Sequence, residues 1–336
     1  MRRRSWWLIA WQRFKSNKLA MFGVFLIGVY ALAAVIHPIL MATVWDRATY
    51  HPIYGHDDVV VEKVVLEEKQ EVTDDSTEME LMRARMLNPF VVPGDLVSEV
   101  TLPGPFTSEH PLGVDNLGRD VLSMVLAAST PSFVVGLSAA VTTAIVGLLV
   151  ATVAAYRRGA TDMLLTEVSD TLQLLPAPLL MVILGAGPFR DSLSPLAFGV
   201  IYGVVSGASG AAIVLRSQAL TVLSRPFIDA TRVAGAGAKQ IITKHLLPHL
   251  VPVAALYMLL GASGAIVADG FVSFLGFSDT RLNWGTIIFF SMSLPPANRA
   301  GIPWEAIIAA AGAISLFAAA FYLIGLGFRD IARAGD

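Results

Sequence analysis

The sequence predicts an all-α integral membrane fold of six transmembrane helices, with an extracytoplasmic insertion after the first. Three observations predict it. Of 336 residues, 55% are hydrophobic and 15% charged, against roughly 25% charged in an ordinary soluble domain. Six apolar runs reach the length at which a helix crosses a hydrocarbon core, about 20 residues at about 1.5 Å each. Lys and Arg also crowd the alternate short connections between those runs, as the positive-inside rule requires.

The chain opens on a basic, aromatic segment, residues 1–18. In it Trp7, Trp11 and Phe14 recur at helical spacing among Arg2, Arg3, Arg4, Arg13, Lys15 and Lys18. That composition suits a short helix lying among lipid headgroups. The first apolar run, 19–40, is longer than the roughly 7 to 15 residues of a signal-peptide core, and basic residues continue right up to it, so it reads as a retained anchor. The further runs are Ser132 to Ala155, Thr171 to Phe189, Leu193 to Leu215, Leu250 to Phe277 and Ile302 to Gly327. Pro176 and Pro178 interrupt the third, which a membrane helix tolerates where neighbours satisfy the freed carbonyls.

Fifteen Lys and Arg lie in the short connections on the N-terminal side. They run from Arg2 through Arg157, Arg158, Arg216, Arg225, Arg232, Lys239 and Lys244 to Arg329 and Arg333, while the short loops opposite hold Arg190, Arg281 and Arg299. Both termini, including the tail 329–336, are therefore expected in the cytoplasm of a multi-pass cell-membrane protein. Residues 41–110 form an acidic extracytoplasmic block too long for a plain connector. Within it VVVEKVVLEEKQEV has strand-like composition, and Met79, Met82 and Met86 could line a short helix. The block reads as a solvated insertion or as a cap that meets a substrate-delivering protein. His51, His56, Asp57 and Asp58 lack a diagnostic metal spacing.

A net charge of −2 without a clustered basic surface argues against nucleic acid. Zero cysteines exclude disulfides, thiolate metal sites and cysteine nucleophiles. GAGAKQ, residues 235–240, has neither the spacing of a phosphate-binding loop nor a hydroxyl after Lys239. No paired carboxylates, nucleophile elbow or zinc-type spacing appears either, so no catalytic or metal residue is assigned, no cofactor is assigned to the chain, and it reads as non-enzymatic.

The most informative segment is DATRVAGAGAKQIITKHLLP, Asp229 to Pro248, polar and basic between two apolar runs and within a loop spanning 225–249. Pro226 can start a helix, Gly235 can end it by adopting angles costly to other residues, and Pro248 stands where a new helix would begin. This segment resembles the EAA loop of the integral-membrane subunits of ABC importers, without gaps over its length. Asp229, Ala230, Thr231, Gly235, Leu247 and Pro248 fall in register with that pattern. Asp229 stands where the family usually has Glu, and Thr231 where it has Ala.

Two more stretches extend the resemblance. HPLGVDNLGRDVLS, residues 110–123, resembles a signature of the dipeptide, oligopeptide and nickel branch, with Val114 replacing Thr. Physically, Gly113 and Gly118 permit a tight turn, while Asp115, Arg119 and Asp120 can pair or cap the following helix. FVSFLGF, 271–277, with Trp284 and Gly285, resembles the same branch through Ser273, Phe274, Leu275, Gly276 and the Trp-Gly pair. The resemblance implies the C-type permease subunit of a type I ABC importer, its permease core being residues 111–328. It also implies a homologous second permease, two ATPase subunits holding ATP and Mg, and an extracytoplasmic solute-binding protein. It implies peptides, or related small solutes such as nickel complexes, as cargo. In that assembly Asp229, Arg232 and Lys239 would make polar contacts with the ATPase, and Ala230 and Leu247 would pack the element.

Two further features stand apart. Gly199, Gly203, Gly207 and Ala211 recur every four residues, a flat ridge that lets another helix approach closely. Asp269 is the only acid well inside an apolar run, where a charge costs on the order of 2.5–3.5 kcal/mol. It is either a translocation-path residue or, beside Ser273, a structural hydrogen-bond partner. The rival to an importer subunit is a self-sufficient ion-coupled transporter or channel titrating Asp269, which predicts inverted repeats. No clear repeat is visible.

Overall fold

The computed structural model describes residues 12, 14–53, 60–65, 96–100, 106–187, 193–277, 282–293 and 302–333, and in 60–65, 96–100 and 329–333 the backbone alone. Trp7, Trp11, His56, Asp57, Asp58, Met79, Met82 and Met86 lie outside these residues. The chain forms two compact units, one of residues 1–40, 125–289 and 308–336, the other of 41–124 and 290–307.

The first unit is a helical bundle. Helix α1, Lys18–Thr43, starts where the Asn17 side chain accepts the Ala20 N–H at 3.0 Å, an N-cap. Most of α1 is exposed, as a lipid-facing anchor should be, and it meets the last helix of the chain closely at Gly23, where a Cβ would stand 2.7 Å from the Ala320 carbonyl. The Tyr30 hydroxyl donates to the Ala313 carbonyl at 3.0 Å, and its ring lies 4.8 Å from Phe317 and 5.5 Å from Trp284. Phe14, expected among lipid headgroups, is instead buried, its ring 5.5 Å from Phe328. That contact puts the start of the first span beside the end of the last, which requires an even number of crossings.

Helix α3, Val121–Arg157, overruns its predicted run at both ends. It follows the short helix α2, Arg47–Tyr50, in chain order. Among the described residues, five helices are long and apolar enough to cross a membrane, and a bent pair, which is either a broken span or a re-entrant loop, brings the number to as many as six. That pair is α4, Gly159–Leu174, and α5, Ala177–Ala186, which meet at 76°. Leu175 is extended because the proline after it disfavours helical angles, and Pro176 has no N–H to continue the ladder. The helix leading into the third apolar run thus begins at Gly159, ahead of Thr171.

The fourth span joins α6, Pro195–Ser206, to α7, Ala212–Leu223, through a π-turn, Gly207–Ala211, in which Ser209 leaves helical angles. The small-residue ridge lies on this span and packs against α3. A Cβ on Gly203 would stand 2.7 Å from the Ala139 carbonyl and the Thr142 side chain, and one on Gly207 would stand 2.8 Å from the Thr143 carbonyl. Gly199 meets Ser138 and the Val135 carbonyl more closely still. The ridge therefore serves the packing of this chain's own bundle.

After helix α8, Pro226–Val233, the fifth span begins at α9, Ala238–Ile241. It passes through a π-turn, Ile242–Leu246, into α10, Leu247–Phe274. Pro248 consequently does not open a helix, as predicted, but sits inside a continuous one. Its missing N–H removes one donor, and the widened turn just before it accommodates the loss. A short apolar helix, α11, Trp284–Ser293, was not foreseen, and α12, Trp304–Arg333, is the last span.

The second unit holds α2, an antiparallel pair of β1, Val60–Val65, with β2, Leu96–Val100, and the loop leading to α3. Val65 pairs with Leu96 and Val60 with Val100, with an irregularity between Val60 and Glu62. The strand reading of VVVEKVVLEEKQEV is met over Val60–Val65, where β-branched residues suit a pleated surface, and residues 66–72 lie outside the described residues.

Candidate functional site

The EAA-like segment folds as a closed hairpin. Helix α8 ends in a Schellman motif: the Gly235 N–H donates to the Arg232 carbonyl at 2.9 Å and the Ala236 N–H to the Thr231 carbonyl at 3.1 Å. Gly235 has φ +85°, the left-handed geometry its position in the sequence predicted. The Gln240 and Ile241 N–H groups then donate to the Gly237 carbonyl as the chain turns back into a helix.

The hairpin is rooted from below. Ile228, Ile241 and Leu246 are buried with Leu250 and Ala254 of α10, Leu215, Ala219, Val222 and Leu223 of α7, and Ala151 and Ala155 of α3. These anchors correct the sequence reading, which gave packing to Ala230 and Leu247. Ala230 is exposed and Leu247 only half-buried. Two residues turn a helix by about 200°, so with Ile228 facing inward Ala230 must face out. Helical spacing around Ile228 was the signal that could have found it.

The outer face is polar with an apolar tip. Asp229 and Arg232 pair at 3.1 Å, both largely exposed, and such a pair contributes little to stability. Lys239 is exposed, as are Pro248 and Gly237. Val233 is 90% exposed at the tip of α8; the sequence reading passed over it. A folded, rooted element presenting an acid, two cations and an apolar knob is suited to seat in a groove of another protein.

The loop before α3 has the geometry its residues forecast. Gly113 and Gly118 take φ of +72° and +77°. One Asp115 oxygen accepts the Leu117 and Arg119 N–H groups, each at 2.9 Å, and the other accepts the Arg119 guanidinium at 2.9 and 2.5 Å. Asp120 caps α3 by accepting the Ser123 N–H at 2.6 Å, and its other oxygen meets His110 Nδ1 at 2.9 Å. Burial pushes the Asp120 carboxyl above its ordinary range, with His110 and the Ser123 N–H opposing. His110, Asp115, Arg119 and Asp120 are all buried, and Arg119 lies 5.4 Å above the Phe290 ring.

The third motif is a helix stop. Gly276, φ +82°, closes α10 with bonds from its own N–H to Ser273 and from the Phe277 N–H to Val272, at 3.0 and 3.2 Å. Trp284 is buried and its indole donates to the Val125 carbonyl at 3.0 Å, while Gly285 lets α11 approach Gly270 of α10.

Asp269 is buried, and the Asn283 side-chain amide donates to its carboxylate at 3.0 Å and to Ser273 Oγ at 2.6 Å. This is the structural hydrogen bond that was the alternative to a path role. Three more acids lie on α4. Asp162 takes a bidentate contact from Arg216 of α7 at 2.5 and 2.7 Å, whereas Glu167 and Asp170 lie exposed on α4. Among the described residues no group of three or more His, Asp or Glu is placed to hold a metal ion.

Comparison with known proteins decides the family. Residues 144–331 match the family described as binding-protein-dependent transport system inner membrane component. The chain belongs to this family. Residues 5–53 of the permease match the N-terminal transmembrane domain of oligopeptide transport permease C. It is 34% identical over 227 residues to a peptide transport system permease protein of Brucella suis, covering 66% of this chain and 73% of that protein. It is 28% identical to the dipeptide transport system permease protein DppC of Bacillus subtilis, covering 96% of this chain and 83% of the relative. Against OppC of the same organism the figures are 26%, 97% and 88%. The permease is thus a multi-pass membrane subunit of an ABC importer, in which ATP hydrolysis belongs to separate subunits.

Proposed function

We propose that this permease forms half of a translocation pathway for peptides, beside a homologous second permease, with two ATPase subunits, one of them docked on the α8–α9 hairpin, and a solute-binding protein at the opposite face. ATP and Mg then reside on the ATPases. Both termini and the hairpin are cytoplasmic in this reading. The charge asymmetry of the loops supports that orientation, and the even number of crossings supports one side for both ends. Residues 41–110, by the same count, are extracytoplasmic. Peptide cargo is supported by the names of the relatives in Brucella and Bacillus.

The observation that carries the reading is the hairpin itself, exposed at its tip and anchored by buried residues on three spans. ATP-driven closure of the ATPase dimer would displace it, and the buried root would pass that displacement to α3, α7 and α10. Asp229, Arg232, Lys239 and Val233 are its contact residues. Glu167 and Asp170 on the exposed face of α4 would each cost on the order of 2.5–3.5 kcal/mol against lipid tails, so that face borders water or the partner permease. The test is reconstitution of the complex with Asp229→Lys. The ATPase subunits still co-purify and transport falls relative to ATP hydrolysed; unchanged transport counts against the docking role.

A further inference from the structure

Beside the buried root, α8 has a second attachment to the fifth span. Phe227, the second residue of α8, places its ring 5.9 Å from the His245 ring and 6.2 Å from the His249 ring, the latter stacked at 25°. His245 lies in the π-turn and His249 in the first turn of α10. The His249 ring is itself fixed, its Nδ1–H donating to the His245 carbonyl at 2.7 Å. The Thr231 hydroxyl donates to the Phe227 carbonyl at 2.7 Å and tightens the turn that bears the ring.

We infer that Phe227 and the His245–His249 pair form a clasp that fixes the roll of the coupling helix on the fifth span, so that α8 and α10 move as one body when the ATPase moves. The physical reason is geometric. Ile228 enters the buried cluster, and one anchor of this kind leaves a short helix free to rock about it. Phe227 is the adjacent residue, about 100° around the helix, and is 38% exposed. A second contact off the first one's axis removes that rotation. An eight-residue helix has too few hydrogen bonds to hold its own attitude, and aromatic ring pairs prefer defined offset or edge geometries, which an aliphatic contact does not impose. These are positioning residues, acting through α8.

The inference rests on the hairpin docking an ATPase, and its test separates the two. The chain has no cysteine, so Ala234→Cys, at the exposed C-cap of α8, and Val251→Cys, exposed on α10, can carry spin labels in the whole co-expressed complex. The inter-label distance is measured with and without ATP and vanadate. In the parent it stays narrow and unchanged. Phe227→Leu broadens it and lowers transport per ATP of a radiolabelled tripeptide, trialanine, by about two- to tenfold, the range of an aromatic pair's coupling. Phe227→Trp restores both. Adding His249→Ala to Phe227→Leu does no further harm. A narrow distance in Phe227→Leu, or failure of Phe227→Trp to differ from it, overturns the clasp while leaving docking intact. Absence of ATPase subunits from the purified parent complex overturns the docking on which it rests.

Discussion

Gly235→Ala tests the hairpin with a single methyl group. A Cβ at this position meets nothing within 4 Å, so no neighbour has to move. What changes is the backbone: φ is +85°, and holding an L-residue in left-handed geometry costs about 1–2 kcal/mol. Gly237 supplies a matched control. It too has open space around a Cβ, but its φ is −77°, which alanine adopts freely. A penalty of 1–2 kcal/mol is a factor of about 5–30 in the ratio of closed to open hairpin. The assay is ATP hydrolysis and solute uptake by the complex in liposomes, with subunit yield as the check on assembly. Gly235→Ala keeps yield and hydrolysis but loses about fivefold or more in uptake per ATP. Gly235→Asn falls between, because Asn tolerates the left-handed region, and Gly237→Ala matches the parent. If the two alanine variants were indistinguishable, the Schellman closure would have no part in coupling.

The small-residue ridge gives a packing prediction: Gly203→Val forces side-chain atoms against the Ala139 carbonyl 2.7 Å from the Cβ position. It should destabilise by about 1–3 kcal/mol in thermal unfolding in detergent, while Gly312→Ala, with open space, stays within about 1 kcal/mol of the parent. His110→Ala strands a buried carboxyl and costs about 1–3 kcal/mol by the same measurement. Burial raises the folded Asp120 value above its unfolded one, so this group's contribution is full below the unfolded value and fades as pH rises through the folded one. Removing His110 deletes a lowering cause and moves that fade to higher pH, seen as a shifted pH profile of unfolding. Asn283→Ala leaves Asp269 and Ser273 without the amide that bridges them and lowers stability by about 1–3 kcal/mol. Arg232→Ala, breaking an exposed pair, changes stability by less than about 1 kcal/mol, so any loss of uptake reports contact with the ATPase.

Much of this protein was legible in its sequence wherever the governing physics is local. Gly113, Gly118 and Gly235 all have positive φ, and each stood in a motif whose turn demanded it. Asp115, Arg119 and Asp120 lie within a few residues of the groups they bond, so spacing alone forecast the pairing and the cap. The misreadings and omissions share a cause. The helix ahead of Thr171 was passed over because Asp162, Glu167 and Asp170 make that stretch look polar. Asp162 is matched by Arg216, 54 residues away, a partner no window of sequence contains. Ala230 was given a packing role from its place in a motif, when the burial of Ile228 had already turned it outward. Pro248 was read as a helix start because a proline's neighbours along the chain do not reveal that a π-turn has absorbed its missing donor.

The sequence by itself determined the all-α, membrane-spanning class and the glycine turns at Gly113, Gly118 and Gly235, since apolar length and the backbone limits of glycine act residue by residue. Only the tertiary structure decided which face of each helix is covered and which polar groups meet. Those depend on contacts between segments far apart in the chain, and for that reason the buried root of the hairpin and the Phe227 clasp became visible only once α3, α7, α8 and α10 were brought together.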